Sequence, residues 1–190
     1  MTWPFLLLPG DGLSTAELLA ARLDGDVVEV GEAFMPADAV ETAELRAASL
    51  RPLVPRGLAV THESAAWVHG ALAEAPARHS VQRCAAQRGN HVIDNRVRYR
   101  DLRLPQRDLV TVAGVPVTTP ARTLGDLVRA AFADGTEPGA AALALATCFP
   151  GAASESHDLL HASGPVVCKR PALDWLRRRA AQEEVTRYTS

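Results

Sequence analysis

Lysine is almost missing from this 190-residue chain: Lys169 stands alone against 19 arginines. A metal-dependent nuclease needs clustered carboxylates and a lysine. Lys169 follows Val166-Val167-Cys168, with Val167 where an acidic partner would be wanted. Cysteine is sparse too. Cys84, Cys148 and Cys168 form no CxxC pair, which excludes a disulfide framework and points to a reducing cytoplasm. Long apolar runs are lacking. The opening MTWPFLLLPGDG carries no basic residue, and Pro4 and Pro9 interrupt it, so neither a signal peptide nor a membrane span is expected. No GxSxG, P-loop or GxGxxG motif occurs, nor any fixed-period repeat. Aromatics make up only 5% of the residues, so the core should be aliphatic and alanine-rich.

What is present is an uneven charge. The net charge of −2 hides an acidic first third and a basic middle. Residues 1–76 hold 11 acidic and 4 basic side chains, whereas residues 77–107 hold 8 arginines against 2 aspartates. Within the basic stretch, RVRYRDLRL places Arg96, Arg98 and Arg100 at every second position. On a strand they would share one face, with Val97 and Tyr99 on the other. Arg83, Arg88, Arg103 and Arg107 complete the candidate contact residues. Such a cluster suits an acidic protein or a phosphate backbone, since the guanidinium fork fits both. It also suits a solvated sheet face.

Capping signals divide the chain. Ser14-Thr15-Ala16-Glu17 reads as a capping box opening a helix that runs to Asp24-Gly25. Asp26 to Pro36 reads as a hairpin, and Asp38 to Glu41 as a second capping box for a helix to about Leu50. Thr61 is expected to cap the helix HESAAWVHG. Residues 79–84, 91–94 and 96–100 read as strands, and Asp108 to Thr118 as a hairpin turning at Ala113-Gly114. Thr119-Pro120 starts a helix in which Arg122 and Asp126 are an i,i+4 pair. Helices follow at about 138–146, 156–162 and 171–185.

Two blocks carry a resemblance. VTHESAAWVHG, residues 60–70, resembles the SHxSAAxLHG helix of the AbiEi-type antitoxin family common in actinobacteria. VRYRDLRLPQRDLVTVAGVPVTTPARTLGDLVRA, residues 97–130, resembles that family's segment ending in PVTxPARTLxDLA. Their order and spacing agree over roughly residues 26–133. The resemblance implies an antitoxin of a type IV toxin–antitoxin or phage-defence (abortive-infection) system. It also implies an N-terminal winged helix that regulates transcription of its own operon, and a later domain that counters a nucleotidyltransferase toxin. The present sequence departs from it at the wing. Glu29 and Glu32 stand where the family has arginines, and a single helix, Ser14 to Arg22, precedes the hairpin. An acidic wing is repelled by phosphate, and a helix-turn-helix needs a bracing first helix. DNA binding is therefore not carried over to residues 14–36.

His157-Asp158-Leu159-Leu160-His161 resembles the HExxH helix of zinc peptidases, but Asp158 replaces the general-base glutamate. A zinc held by Cys148, His157, His161 and Cys168 would lack the short paired spacing of structural sites. His62 and His69, two turns apart on one helix, suit structural hydrogen bonding.

The expected fold is α+β. A degenerate winged-helix-like segment, 1–55, precedes an antitoxin-type α/β domain, 56–190, with a central, mostly antiparallel sheet and C-terminal helices. The expected function is non-enzymatic binding in the cytoplasm, with no catalytic residue, metal or cofactor and no membrane contact. The partner is a nucleotidyltransferase-type toxin or a DNA or RNA backbone. The alternatives are an orphan defence protein working with a nuclease in trans, and a transcriptional autoregulator.

Overall fold

The computed structural model describes residues 5–86 and 94–189, with side chains to residue 184. The expected strand at 91–94 lies almost wholly outside the described residues.

Helix α1 (Thr15–Asp24) opens on the expected capping box. Ser14 Oγ accepts from the Glu17 amide at 3.3 Å, and the Glu17 carboxylate accepts from the Ser14 amide at 2.8 Å. Gly25 ends the helix in the left-handed region. Strands β1 (Val27–Val30) and β2 (Ala33–Pro36) then form the antiparallel hairpin. Its turn contains Gly31, where a Cβ would come within 2.3 Å of Ser49 Oγ and 3.2 Å of the Trp67 ring. Only glycine lets the hairpin sit this close.

Helix α2 (Ala43–Ser49) starts later than expected. Thr42, not Asp38, is the cap, accepting from the Leu45 amide at 3.3 Å. Glu41, expected to close the capping box, instead binds Arg46 Nε at 2.7 Å.

The main sheet has the order β5-β4-β3-β7-β6. Its strands are β3 (Leu58–Val60), β4 (His79–Arg83), β5 (Val97–Arg100), β6 (Leu109–Val112) and β7 (Val115–Thr118). Counting the N-terminal hairpin, three strand pairings are antiparallel: β1/β2, β3/β4 and β6/β7. The pairings β4/β5 and β3/β7 are parallel. The β6/β7 turn falls at Ala113-Gly114, with φ of 49° and 80°. Positive φ at both central positions is the type I′ geometry that matches strand twist.

Helix α3 (His62–Val68) follows β3 directly. Thr61 occupies its cap position without the expected side-chain bond to the helix, because Thr61 Oγ1 pairs with His62 Nδ1 at 2.9 Å. Helix α4 (Pro120–Ala133) does have its cap: Thr119 Oγ1 accepts from the Arg122 amide at 3.2 Å. Around α4 pack α5 (Ala140–Cys148), α6 (Ala152–Ala162) and α7 (Lys169–Thr189). Gly125 makes the α4/α6 contact possible, since a Cβ there would stand 2.7 Å from Ser156 Oγ. Glycine in mid-helix costs roughly 1 kcal/mol relative to alanine.

The core has two main parts. One joins Val30 and Met35 of the hairpin to Leu45, Val60, Trp67 and Val117. The other fills the helical layer with Leu124, Val128, Leu145, Ala153 and Leu176. The first runs from the N-terminal segment into the sheet, so residues 1–55 and 56–190 share apolar packing. The architecture is the expected mixed one, with a five-stranded sheet and C-terminal helices. No helix among the described residues is long and apolar enough to cross a membrane.

Candidate functional site

The arginine row resolves into separate roles. In the parallel β4/β5 pairing, Ser80 lies beside Arg98 and Gln82 beside Arg100, so Arg98 and Arg100 share one face. Val97 and Tyr99 pack on the other face with Leu53, Leu58 and Val81. Arg96 leaves the row. It lies in the turn before β5, where Asp94 Oδ2 takes its Nη2 at 2.7 Å and Glu32 of the hairpin takes its Nη1. The Arg96 hydrogen bonds hold the Asp94 pKa down at about 2. Glu32 also lies 3.9 Å from His79 Nε2.

Arg83 is bound within the fold, donating to Asp101 Oδ1 at 2.9 Å and to the carbonyls of Ala85 and Ala86. Arg88 lies outside the described residues. Arg98 and Arg103 are exposed, and the Arg107 side chain is 77% exposed. Arg100 is half-buried, and its Nε is enclosed without a hydrogen-bond partner among the described residues. Between Arg100 and Arg103, Leu102 is 63% exposed.

Arg100 points to a centre that the sequence reading did not assemble. Two adjoining hollows meet over α4, sharing Leu102, Arg122, Asp126 and Arg129. One, of about 250 Å³, is lined by His62, Gln82 and Arg100. The other, of about 210 Å³, reaches Arg103, Arg107, Asp108 and Ser156. Arg122 links them. Its Nη1 donates to Asp108 Oδ2 at 2.6 Å and its Nε to Asp126 Oδ2 at 2.8 Å. Arg129 approaches Asp126 Oδ1 at 3.5 Å. Burial alone would lower the Arg122 pKa, but Asp126 and Asp108 outweigh it and raise it. Both aspartates are almost wholly buried, and Arg122 supplies each with a charge-assisted hydrogen bond.

His62 stands at the head of α3 with φ of 53°, a conformation that costs a non-glycine residue about 1–3 kcal/mol. Burial lowers its pKa to about 4, opposed by Asp126 and reinforced by Arg100. It is therefore neutral at pH 7. His69 accepts its expected structural role, with Nε2 2.7 Å from the Thr118 carbonyl oxygen.

Most of these residues fall inside one matched segment. Residues 58–136 match the AbiEi antitoxin C-terminal domain family. The AbiEi match takes in β3 through α4, and thus His62, Asp108, Arg122, Asp126 and the exposed arginines, while Ser156 lies beyond it. Among curated proteins nothing matches the chain. Among solved structures, the RV2827C protein from Mycobacterium tuberculosis is similar, with 17% identity and a TM-score of 0.49 over 96% of this chain and 75% of that one.

The C-terminal histidines stack, with His157 and His161 ring centroids 6.0 Å apart, and His157 Nδ1 lies 3.2 Å from Asp158 Oδ1. Among the described residues no group of three or more His, Cys, Asp or Glu is placed to hold a metal. Cys84, Cys148 and Cys168 are free thiols.

The central residues had one visible signal. Arg122 and Asp126 form a charged i,i+4 pair beside Leu124, Leu127 and Val128, all buried on α4. Such a pair inside an apolar stripe signals a buried network rather than a surface bridge.

Proposed function

We propose that the protein is an antitoxin that acts by direct contact, docking a nucleotidyltransferase-type toxin on the surface formed by Arg98, Leu102, Arg103 and Arg107. The observation that carries this reading is the exposure of Leu102 among arginines. A leucine adds nothing to a phosphate track, whereas an apolar anchor ringed by arginines is the composition of a protein–protein contact. Val167, 69% exposed at the edge of the neighbouring hollow, extends the apolar part.

On this reading residues 56–190 form the docking domain and residues 1–55 a degenerate winged segment without a promoter-binding role. The wing's acids are engaged within the chain, Glu29 with Arg22 at 3.4 Å and Glu32 with Arg96. The protein works in the cytoplasm, by binding, without cofactor or catalytic residue.

Co-expression with a nucleotidyltransferase-type toxin tests the reading. The wild-type chain should restore growth, and the Leu102→Asp and Arg98→Glu variants should fail to do so while remaining folded. Full rescue by both variants would refute it.

A further inference from the structure

The hollow between the 3₁₀ turn Gln106–Asp108, α4 and α6 carries unused hydrogen-bonding groups. Asp108 and Ser156 both line it, at 4% and 1% exposure. Asp108 gives one carboxylate oxygen to Arg122, while its Oδ1 has no hydrogen-bond partner, and neither has Ser156 Oγ. Arg107 Nε lies 3.7 Å from Asp108 Oδ1, beyond hydrogen-bond reach. Buried polar groups are nearly always satisfied, so two orphans beside one hollow leave hydrogen-bonding capacity for an occupant.

Their chemistry narrows the ligand. An ionised carboxylate oxygen only accepts, so Asp108 asks for an N–H or O–H donor. A serine hydroxyl donates or accepts, so Ser156 can serve a neighbouring ring nitrogen or carbonyl. Arginines 103, 107, 122 and 129 outnumber aspartates 108 and 126 around the hollow, which disfavours a cation. Leu102, Ala121, Leu159 and Leu160 supply apolar walls. The volume, about 210 Å³, falls below the ~300–1,000 Å³ of sites that enclose a drug-sized ligand. It suits a ring, with the rest of the molecule outside. At the mouth stand the exposed Arg103 and Arg107, placed for an anion.

We infer that this hollow binds a nucleoside monophosphate: the base inside, an N–H on Asp108 and an acceptor on Ser156, with the phosphate on Arg103 and Arg107. Gly125 contributes by having no side chain, since a Cβ there would press on Ser156 Oγ. The hollow shares Leu102, Arg103 and Arg107 with the proposed docking surface, whereas Ser156 is buried and belongs to the hollow alone.

Calorimetric titration of the full chain with AMP, GMP, CMP and UMP tests it, with ribose 5-phosphate and inorganic phosphate as controls. At least one nucleotide should bind at least tenfold more tightly than ribose 5-phosphate. Ser156→Ala should weaken that binding about three- to tenfold, the worth of one hydrogen bond, without lowering stability. Arg103→Ala/Arg107→Ala should weaken the nucleotide but not the matching nucleoside. No nucleotide binding, equal binding of ribose 5-phosphate, or an unchanged affinity in Ser156→Ala would each overturn the inference. Toxin capture should survive Ser156→Ala, which separates this outcome from the docking one.

Discussion

Arg122 is held between two buried carboxylates, with Asp108 Oδ2 2.6 Å from its Nη1 and Asp126 Oδ2 2.8 Å from its Nε. The three side chains tie the start of β6 to α4 beneath the candidate surface. Removing the cation takes from both buried carboxylates the guanidinium they share. Arg122→Met should therefore cost about 3–5 kcal/mol, the usual penalty for breaking a buried pair. Urea unfolding followed by circular dichroism would measure it. A loss under 1 kcal/mol would mean that water reaches the aspartates.

The hairpin is clipped to the sheet by Glu32, which meets Arg96 and lies near His79. The Arg96 side chain is 53% exposed, so the bridge is screened and worth little globally. Glu32→Gln should shift overall stability by less than about 1 kcal/mol. Hydrogen exchange of the amides in 27–36 should rise nonetheless, as local opening becomes easier. Unchanged exchange there would show that the apolar contacts of Val30 and Met35 hold the hairpin alone.

Two buried histidines set an acid limit. Burial lowers the pKa of His62 and of His79 to about 4, with Arg96 adding to the effect at His79. Both are lowered, so the unfolded chain takes up protons near pH 6.5 while the folded chain does not. Stability is then intact above pH 6.5 and falls as pH drops to about 4, by on the order of 3 kcal/mol per histidine once complete. Thermal melts at pH 7 and pH 4.5 should show the fall, and His62→Gln should flatten it. Equal melting temperatures at the two pH values would contradict the burial of both rings.

Gly125→Ala pits helix propensity against the Ser156 hydroxyl, 2.7 Å from the added methyl group. The clash should win, lowering stability, while the Gly125→Ala/Ser156→Ala double variant should recover it. The coupling between the two changes is the informative quantity. Additive effects would place the strain elsewhere.

The legible parts of the fold were those written in local chemistry. The Ser14/Glu17 box, the Ala113-Gly114 turn and the Thr119-Pro120 start each carry their own signal within four residues, and each is formed. Asp38 misled because Glu41, the apparent closing residue, had a better partner in Arg46. Thr61 misled in the same way, its hydroxyl engaged by His62.

Period-two spacing placed Arg98 and Arg100 correctly on one face but could not place Arg96. Its partners, Glu32 and Asp94, are set by the packing of the hairpin and by a turn. The pairing of Arg122 with Asp126 was readable, whereas its second partner, Asp108, comes from another element 14 residues away. Contacts of that kind depend on the sheet order, which no local pattern in this chain encodes. Ser156 offered no signal at all, because its meaning lies in the empty side of Gly125.

Leu102 and its flanking arginines are proposed as the docking surface for a protein. Calorimetric titration of the purified toxin into the wild-type chain and into Leu102→Asp tests it most directly, with a DNA duplex and an RNA hairpin titrated in parallel. Toxin binding should weaken with added salt and fall roughly 30-fold or more in the Leu102→Asp variant, as for a buried interface anchor, with an unchanged melting temperature. Binding to the duplex or the hairpin but not to the toxin, or toxin binding indifferent to Leu102→Asp, would contradict it.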